Sequence, residues 1–171
     1  ISDQDSKNEF EKLNVLITAS ADRTIKLWDP KSQKANACFQ TIVGHEGTIL
    51  DMVYIKKVSS LFTSSTDKTI RIWVIDPPSE QMQYPRFKIS QKIQDFTSLN
   101  KQLDMDVWVN CIELNDTERL SIYAGDSEGS LLKFKAPKEW RTECEFDFDK
   151  KFKTIHRSGI YKILDVKKES M

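Results

Sequence analysis

A histidine, a carboxylate and two hydroxyl side chains occur close together in the sequence, and side chains of these types could form a catalytic triad. They are His45, Asp67 and either Thr63 or Ser65. In such a triad the carboxylate orients the imidazole, which takes the proton from a hydroxyl nucleophile. Whether these residues do so depends on the elements that position them.

The stretch that contains Asp67, "SSTDKTIRIWVIDP", has an earlier counterpart, "SADRTIKLWDP". Asp67 and Trp73 each lie 45 residues after Asp22 and Trp28. Two copies with one period indicate one structural unit that is used twice. Because catalytic groups are not normally repeated from unit to unit, the repetition favours a structural role for these polar residues.

The other candidates for chemistry are weaker. Cys38, Cys111 and Cys144 are far apart, and this spacing fits neither a disulfide framework nor a zinc site. It favours free thiols in a reducing, intracellular compartment. The acidic stretches "DQDSKNEFE" and "DFDKK" lack the central glycine of a calcium loop. We therefore predict no metal, no cofactor and no small-molecule substrate.

Composition narrows the class of partner. The 171 residues are enough for one ordinary domain, and their 26 basic and 26 acidic side chains cancel. A neutral chain lacks the basic face that nucleic-acid binding usually needs. The apolar runs are too short to span a bilayer. We therefore predict that the partners are other proteins, and neither nucleic acid nor a membrane.

Apolar and polar residues alternate over short runs, as is typical of β-strands. In "TIRIWV", Ile70 and Ile72 fall on one face, and Arg71 and Trp73 fall on the other. Turn residues such as "STDK" join these runs into hairpins, and glycine and proline separate the hairpins. Because no stretch is a convincing amphipathic helix, we predict an all-β fold.

Two weaker copies of the unit follow. In "LSIYAGDSEGSLLKFKAP", Phe134 takes the tryptophan position, 61 residues after Trp73, and Glu128 takes the aspartate position. The stretch "IHRSGIYKILDV" aligns with "GHEGTILDMVYI" and places His156 on His45. The sequence therefore contains about three copies of the unit and the opening of a fourth.

The pattern resembles the WD-repeat family of β-propellers, most clearly in "GHEGTILDMVY", "SSTDKTIRIW" and "ADRTIKLWD". The resemblance implies four-stranded antiparallel blades. About three blades are present, and a propeller typically closes with 4–8. Because three blades alone would leave unpaired sheet edges, we expect an arc of a larger ring.

The resemblance also implies a structural tetrad in the second unit, in which each buried polar group has a partner. An unmet buried polar group costs about 1–3 kcal/mol. The members of the tetrad are His45, Thr63 or Ser65, Asp67 and Trp73. The corresponding residues of neighbouring blades are Asp22, Trp28 and His156.

The same resemblance divides the chain into six segments. They are a polar N-terminal lead-in (1–12), a partial blade with strands b to d (13–43), a complete blade (44–94), an insert loop (95–106), a degenerate blade (107–155) and the first strand of the next blade (156–171).

For function, we expect a non-catalytic scaffold for protein–protein interaction in a multiprotein assembly, because a rigid propeller presents loops on two faces. The insert is the candidate partner contact, with Phe96, Leu99 and Leu103 as apolar anchors. An alternative is a reader of short or modified peptides such as histone tails, and an enzyme is disfavoured. The resemblance and the composition together suggest a cytoplasmic location, with a cilium or axoneme as one candidate.

Overall fold

The computed structural model describes residues 15–33, 37–55, 60–76, 88–95, 108–115, 120–135, 147–153 and 155–166. These residues form eleven β-strands and no helix. The strands belong to three antiparallel sheets that follow one another along the chain. The prediction of an all-β fold built from antiparallel blades is therefore confirmed.

The first sheet has three strands, and the second and third have four each. The first contains β1 (Leu16–Ala19), β2 (Thr24–Trp28) and β3 (Cys38–Val43). The second contains β4 (Ile49–Ile55), β5 (Ser60–Ser65), β6 (Thr69–Asp76) and β7 (Lys88–Asp95). The third contains β8 (Val109–Asn115), β9 (Ser121–Asp126), β10 (Leu131–Lys135) and β11 (Asp147–Phe152). Strands that are consecutive in the chain are neighbours in the sheet, so each sheet is a simple meander.

One turn conformation recurs in all three sheets, between β1 and β2, β5 and β6, and β9 and β10. Each turn has one residue with positive φ: Arg23 at 72°, Lys68 at 68° and Gly129 at 84°. The amide of this residue donates to the carbonyl three positions earlier, with N–O distances of 3.1, 3.2 and 3.3 Å. The unit is therefore repeated in backbone geometry as well as in sequence.

Two apolar clusters join neighbouring sheets. The cluster between the first and second sheets contains Ile25, Leu27, Ile42, Ile49, Leu61 and Trp73. The cluster between the second and third sheets contains Phe62, Ile70, Ile72, Val109, Ile112, Leu114, Ile122, Ala124, Leu132 and Phe134. Because neighbouring strand residues point to opposite faces, the second sheet is buried on both sides. We call the face that a sheet presents to the following sheet its forward face.

Residues 155–166 lie against the third sheet, and none of them is in a strand. We predicted the first strand of a further blade over 156–171. No described strand pairs with residues 156–166, and residues 167–171 lie outside the described structure, so this first strand stays a prediction. Its attachment nevertheless resembles that of β4. The Ile160 amide donates to the Asp126 carbonyl at 3.0 Å, as the Ile49 amide donates to the Ser20 carbonyl at 3.4 Å.

Candidate functional site

The second sheet brings together four predicted residues in one hydrogen-bonded chain. His45 lies before β4, Thr63 on β5, Asp67 in the turn after β5, and Trp73 on β6. Trp73 Nε1–H donates to Thr63 Oγ1 at 2.8 Å. His45 Nε2 lies 2.7 Å from the same hydroxyl, and His45 Nδ1 lies 2.7 Å from Asp67 Oδ2. We call His45, Thr63, Asp67 and Trp73 the tetrad.

The donors and acceptors of the tetrad fit one direction of hydrogen bonding. The indole N–H of Trp73 can only donate, so Thr63 Oγ1 accepts this bond and donates its own proton to His45 Nε2. The remaining ring proton of His45 is then on Nδ1 and is donated to the Asp67 carboxylate. A neutral imidazole with its proton on Nδ1 therefore satisfies every member of the chain.

Asp67 also receives hydrogen bonds from the backbone and from a neighbouring hydroxyl. Its Oδ2 accepts the amide of Glu46 at 3.0 Å. Its Oδ1 accepts the amide and the hydroxyl of Thr69, at 3.0 and 2.7 Å. Burial alone would raise the pKa of Asp67, but the hydrogen bonds from His45, Thr69 and Glu46 outweigh it and hold the pKa well below its ordinary value. Asp67 is therefore an ionised anchor between the turn and the segment before β4.

Of the two hydroxyls that the sequence left open, the structure places Thr63 in the tetrad. Ser65 is two residues further along the same face of β5, and its Oγ accepts the amide of Asp67 at 3.1 Å. This bond closes the turn. The two hydroxyls therefore make different contacts, one across the sheet and one within the turn.

The geometry does not leave the Thr63 hydroxyl available as a nucleophile. Thr63 is 0% exposed, and its oxygen is already bonded to both His45 and Trp73. Trp73 is 1% exposed and packs in the apolar cluster between the first and second sheets. A substrate atom would have to displace this packing to reach the hydroxyl. The tetrad joins the segment before β4, the strands β5 and β6, and the turn between these strands.

The first sheet contains part of the same arrangement. Trp28 Nε1–H donates to Thr18 Oγ1 at 2.8 Å, as in the second sheet. Asp22 Oδ1 accepts the hydroxyl and the amide of Thr24, at 2.7 and 2.9 Å, and these bonds lower its pKa. Among the residues that the structure describes in this sheet, no imidazole joins the two pairs. Thr18 is exposed, so water can reach the hydrogen bond between Thr18 and Trp28.

The third sheet has apolar residues at the corresponding positions. Ala124 and Phe134 stand where the second sheet has Thr63 and Trp73, and both are 0% exposed. Glu128 stands at the turn position of Asp67 and is exposed. A polar tetrad cannot form there, because neither the hydroxyl nor the indole is present.

Sequence reasoning missed a buried charge pair that the third sheet has instead. Asp126, at the end of β9, is 0% exposed, and its Oδ1 accepts the amides of Glu128 and Ser130 at 3.0 and 2.7 Å. Its Oδ2 accepts no hydrogen bond from the described residues and lies 3.8 Å from Lys151 Nζ. The sequence "AGDSEG" shows that the third unit has its aspartate at the end of the strand and not in the turn. The sequence alone could not show that Lys151 on β11 lies beside this aspartate, because that contact depends on strand register.

The remaining predicted residues lie apart from the tetrad or outside the described structure. His156 is exposed, and its backbone amide donates to the carbonyl of Gly129 at 3.1 Å. The fourth strand of the second sheet, β7, ends at Asp95. Phe96, Leu99 and Leu103 of the predicted insert lie outside the described residues.

Neither a metal-binding cluster nor a membrane-spanning helix occurs in the described segments. No group of three or more His, Cys, Asp or Glu side chains there is arranged to hold a metal ion. No helix in those segments is long and apolar enough to cross a membrane. Cys111 is buried, its Sγ donates to the Ile160 carbonyl at 3.3 Å, and burial raises its pKa to about 11. This thiol is therefore protonated and unreactive near neutral pH.

The fold and the tetrad define a class of protein, the β-propellers built from repeated four-stranded blades. Residues 5–29 and 36–74 match the family model described as WD domain, G-beta repeat. These matches support a WD-repeat protein over residues 5–74. No curated protein matches its sequence significantly. WD repeats generally act as protein-interaction modules and are generally non-catalytic.

Proposed function

We propose that this chain is a non-catalytic scaffold for protein–protein interaction within a multiprotein assembly. One observation carries the proposal: in the only triad-like set among the described residues, the polar groups hydrogen-bond to one another and are not available to a substrate. The Thr63 hydroxyl is fully buried and bonded to both His45 and Trp73. The polar groups therefore stabilise a blade, and the exposed turns and edges remain for partners.

The predicted insert is the first surface to test. The full-length protein is purified with its partners and analysed by size-exclusion chromatography with light scattering. A scaffold gives a complex of fixed stoichiometry. Replacing Phe96, Leu99 and Leu103 with alanine is expected to weaken this complex without changing the unfolding midpoint. Val43→Ala is the matched control, because Val43 is 71% exposed on a different sheet.

Three outcomes are informative. Loss of the complex in the triple variant but not in the control supports the insert as a partner contact. An unchanged complex in both variants supports the scaffold role and shows that the insert is not the partner contact. A purified protein that forms no stoichiometric complex, and whose turnover of a substrate is abolished by Thr63→Val while folding is retained, contradicts the scaffold itself.

A specific observation favours peptide reading as a second candidate. Leu50, Trp108 and Tyr161 lie near the start of the first strand or segment of three successive units, and their exposed fractions are 40%, 44% and 76%. Two of these residues, Trp108 and Tyr161, are aromatic, and exposed aromatic side chains can bind peptide side chains. Under this proposal, Trp108→Ala abolishes binding of short peptides by the full-length protein. The cytoplasmic or ciliary location remains a prediction, which imaging of the tagged protein tests.

A further inference from the structure

Each sheet ends in an outer strand that pairs with one described neighbour only. These outer strands are β3, β7 and β11, in the first, second and third sheets. Stacking of successive sheets covers the forward face of a sheet, but it does not cover the free edge of its outer strand. Such an edge presents backbone N–H and C=O groups with which another extended chain can pair. The three outer edges are therefore possible sites for strand addition, whatever the number of blades in the ring.

Two of the three outer strands contain a β-bulge at equivalent positions. The extra residue is Phe39 in β3 and Asp149 in β11, and the register changes beside Trp28 and Phe134 of the neighbouring strands. A bulge interrupts the regular spacing of backbone groups and bends the strand, which is one way in which proteins protect an edge from further pairing. The edges of the first and third sheets are therefore poor templates for another strand.

The bulge of β11 is also held in place by two lysines of β10. Lys135 Nζ donates to Asp149 Oδ1 at 2.8 Å, and Lys133 Nζ lies 3.5 Å from Asp149 Oδ2. Straightening β11 for a new partner strand would disrupt both contacts. The third sheet thus keeps its irregular edge by side-chain contacts as well as by backbone geometry.

β7 differs from the other two outer strands. It has eight residues, whereas β3 and β11 have six each, and it pairs with β6 from end to end without a register shift. At the position of the two bulges, Trp73 pairs regularly with Gln91. β7 contains no proline, so each of its residues has a backbone N–H. Because successive residues direct their backbone groups to alternate sides, four of these eight residues direct them away from β6.

We propose that the outer edge of β7 binds an extended, acidic segment of a partner protein, which adds a fifth strand to the second sheet. This proposal rests on the scaffold function proposed above and names the surface and the kind of partner segment. β7 contains two lysines, Lys88 and Lys92, and one acidic residue, Asp95. A second copy of β7 carries the same excess of positive charge and is repelled, whereas an acidic segment is attracted.

Hydrogen exchange at single-residue resolution tests the edge in the full-length protein, first alone and then in its purified complex with partners. In the free protein, fast and slow amides should alternate along residues 88–95. In the complex, the fast amides of β7 should become slower by about tenfold or more, because they enter a new β-ladder. The exchange of the β3 and β11 amides should not change.

The possible results of this experiment separate the edge from the scaffold. Slow exchange of all eight β7 amides in the free protein would overturn the proposal, because the protein's own chain or a second copy would then cover the edge. A complex in which the β7 amides exchange as in the free protein would overturn the edge and leave the scaffold. Failure to form any complex would contradict the scaffold and the edge together.

Proline substitution at two neighbouring positions gives an independent readout. Adjacent amides point to opposite sides, so one of Ser90→Pro and Gln91→Pro removes a hydrogen bond to β6 and lowers Tm. The other removes an outward N–H and is tolerated, as proline is on edge strands. The tolerated variant should bind the partner about tenfold more weakly, because it lacks one main-chain donor and its ring obstructs pairing. Unchanged affinity would overturn the proposal, and hydrogen exchange decides the matter if neither variant folds.

Charge reversal tests the acidic character of the partner segment. Lys92→Glu should weaken the complex by about tenfold at low ionic strength and by less at high ionic strength. Lys31→Glu is the matched control, because Lys31 is exposed in the turn after β2. Equal affinities of these two variants would contradict an acidic segment at β7.

Discussion

Replacing Thr63 with valine removes one oxygen from the centre of the tetrad and leaves the shape of the side chain almost unchanged. The variant has no large cavity, so its cost comes from two lost hydrogen bonds. Trp73 loses the acceptor for its indole N–H, and His45 loses the donor to its Nε2. Trp73 and His45 are 1% and 6% exposed, so water cannot easily replace the hydroxyl.

The expected magnitude follows from these two groups. An unsatisfied buried polar group costs about 1–3 kcal/mol, so Thr63→Val is expected to lower the free energy of unfolding by about 2–6 kcal/mol. Thr18→Val is the matched control, because Thr18 bonds to Trp28 in the same way but is exposed. Water can replace its hydroxyl, so the control is expected to cost about 1 kcal/mol or less.

Urea denaturation of the full-length protein measures both variants, with fluorescence or circular dichroism as the probe. The midpoint should fall for Thr63→Val while the slope stays unchanged, since the surface exposed on unfolding is the same. Equal midpoints for Thr63→Val and the unaltered protein would refute the claim that the tetrad is a buried structural network.

Three further predictions concern neighbouring groups. The pKa of Asp67 is lowered in the folded protein, so the unfolded chain binds a proton at this carboxylate more readily. The stability that this group contributes is therefore present above about pH 4 and is lost on further acidification. Asp67→Asn should make the free energy of unfolding fall less steeply with acidification, and an unchanged slope would contradict this prediction. Lys151→Met leaves the buried Asp126 carboxylate without its cation and should lower the free energy of unfolding by about 3–5 kcal/mol in urea denaturation. Adding Asp126→Asn should recover part of this loss in the double variant. Additive losses of stability in the two single variants would argue against the ion pair. Gly129→Ala places a Cβ at positive φ against the carbonyls of His156 and Ser158, so hydrogen exchange of the His156 amide should speed up; unchanged protection would show that this contact is not required.

Much of the fold could be predicted from the sequence, because it depends on local patterns. The strands follow from alternation, as in Ile70 to Trp73, and the turns follow from the short polar stretches around Asp22 and Asp67. The recurrence of tryptophan at 28 and 73 aligned the units. These signals lie within single hairpins, where neighbours in sequence are also neighbours in space.

The details that sequence reasoning left open depend on contacts between distant positions. Thr63 and Ser65 lie on the same face of β5, and only the pairing of β5 with β6 places Thr63 beside the indole. The Asp126–Lys151 pair depends on the register of β10 with β11, which shifts between Lys133 and Phe134. An irregular register cannot be read from alternation alone.

The most direct measurement of the central claim is the tautomer and exchange behaviour of the His45 imidazole in the full-length protein. Nitrogen-detected NMR, with the His45→Gln variant to assign the signal, identifies which ring nitrogen carries the proton. The account predicts a proton on Nδ1 that exchanges slowly with water, and an unprotonated Nε2 that accepts from Thr63. A ring proton on Nε2 that exchanges rapidly with solvent would contradict it, because an open imidazole beside Asp67 would be free for chemistry.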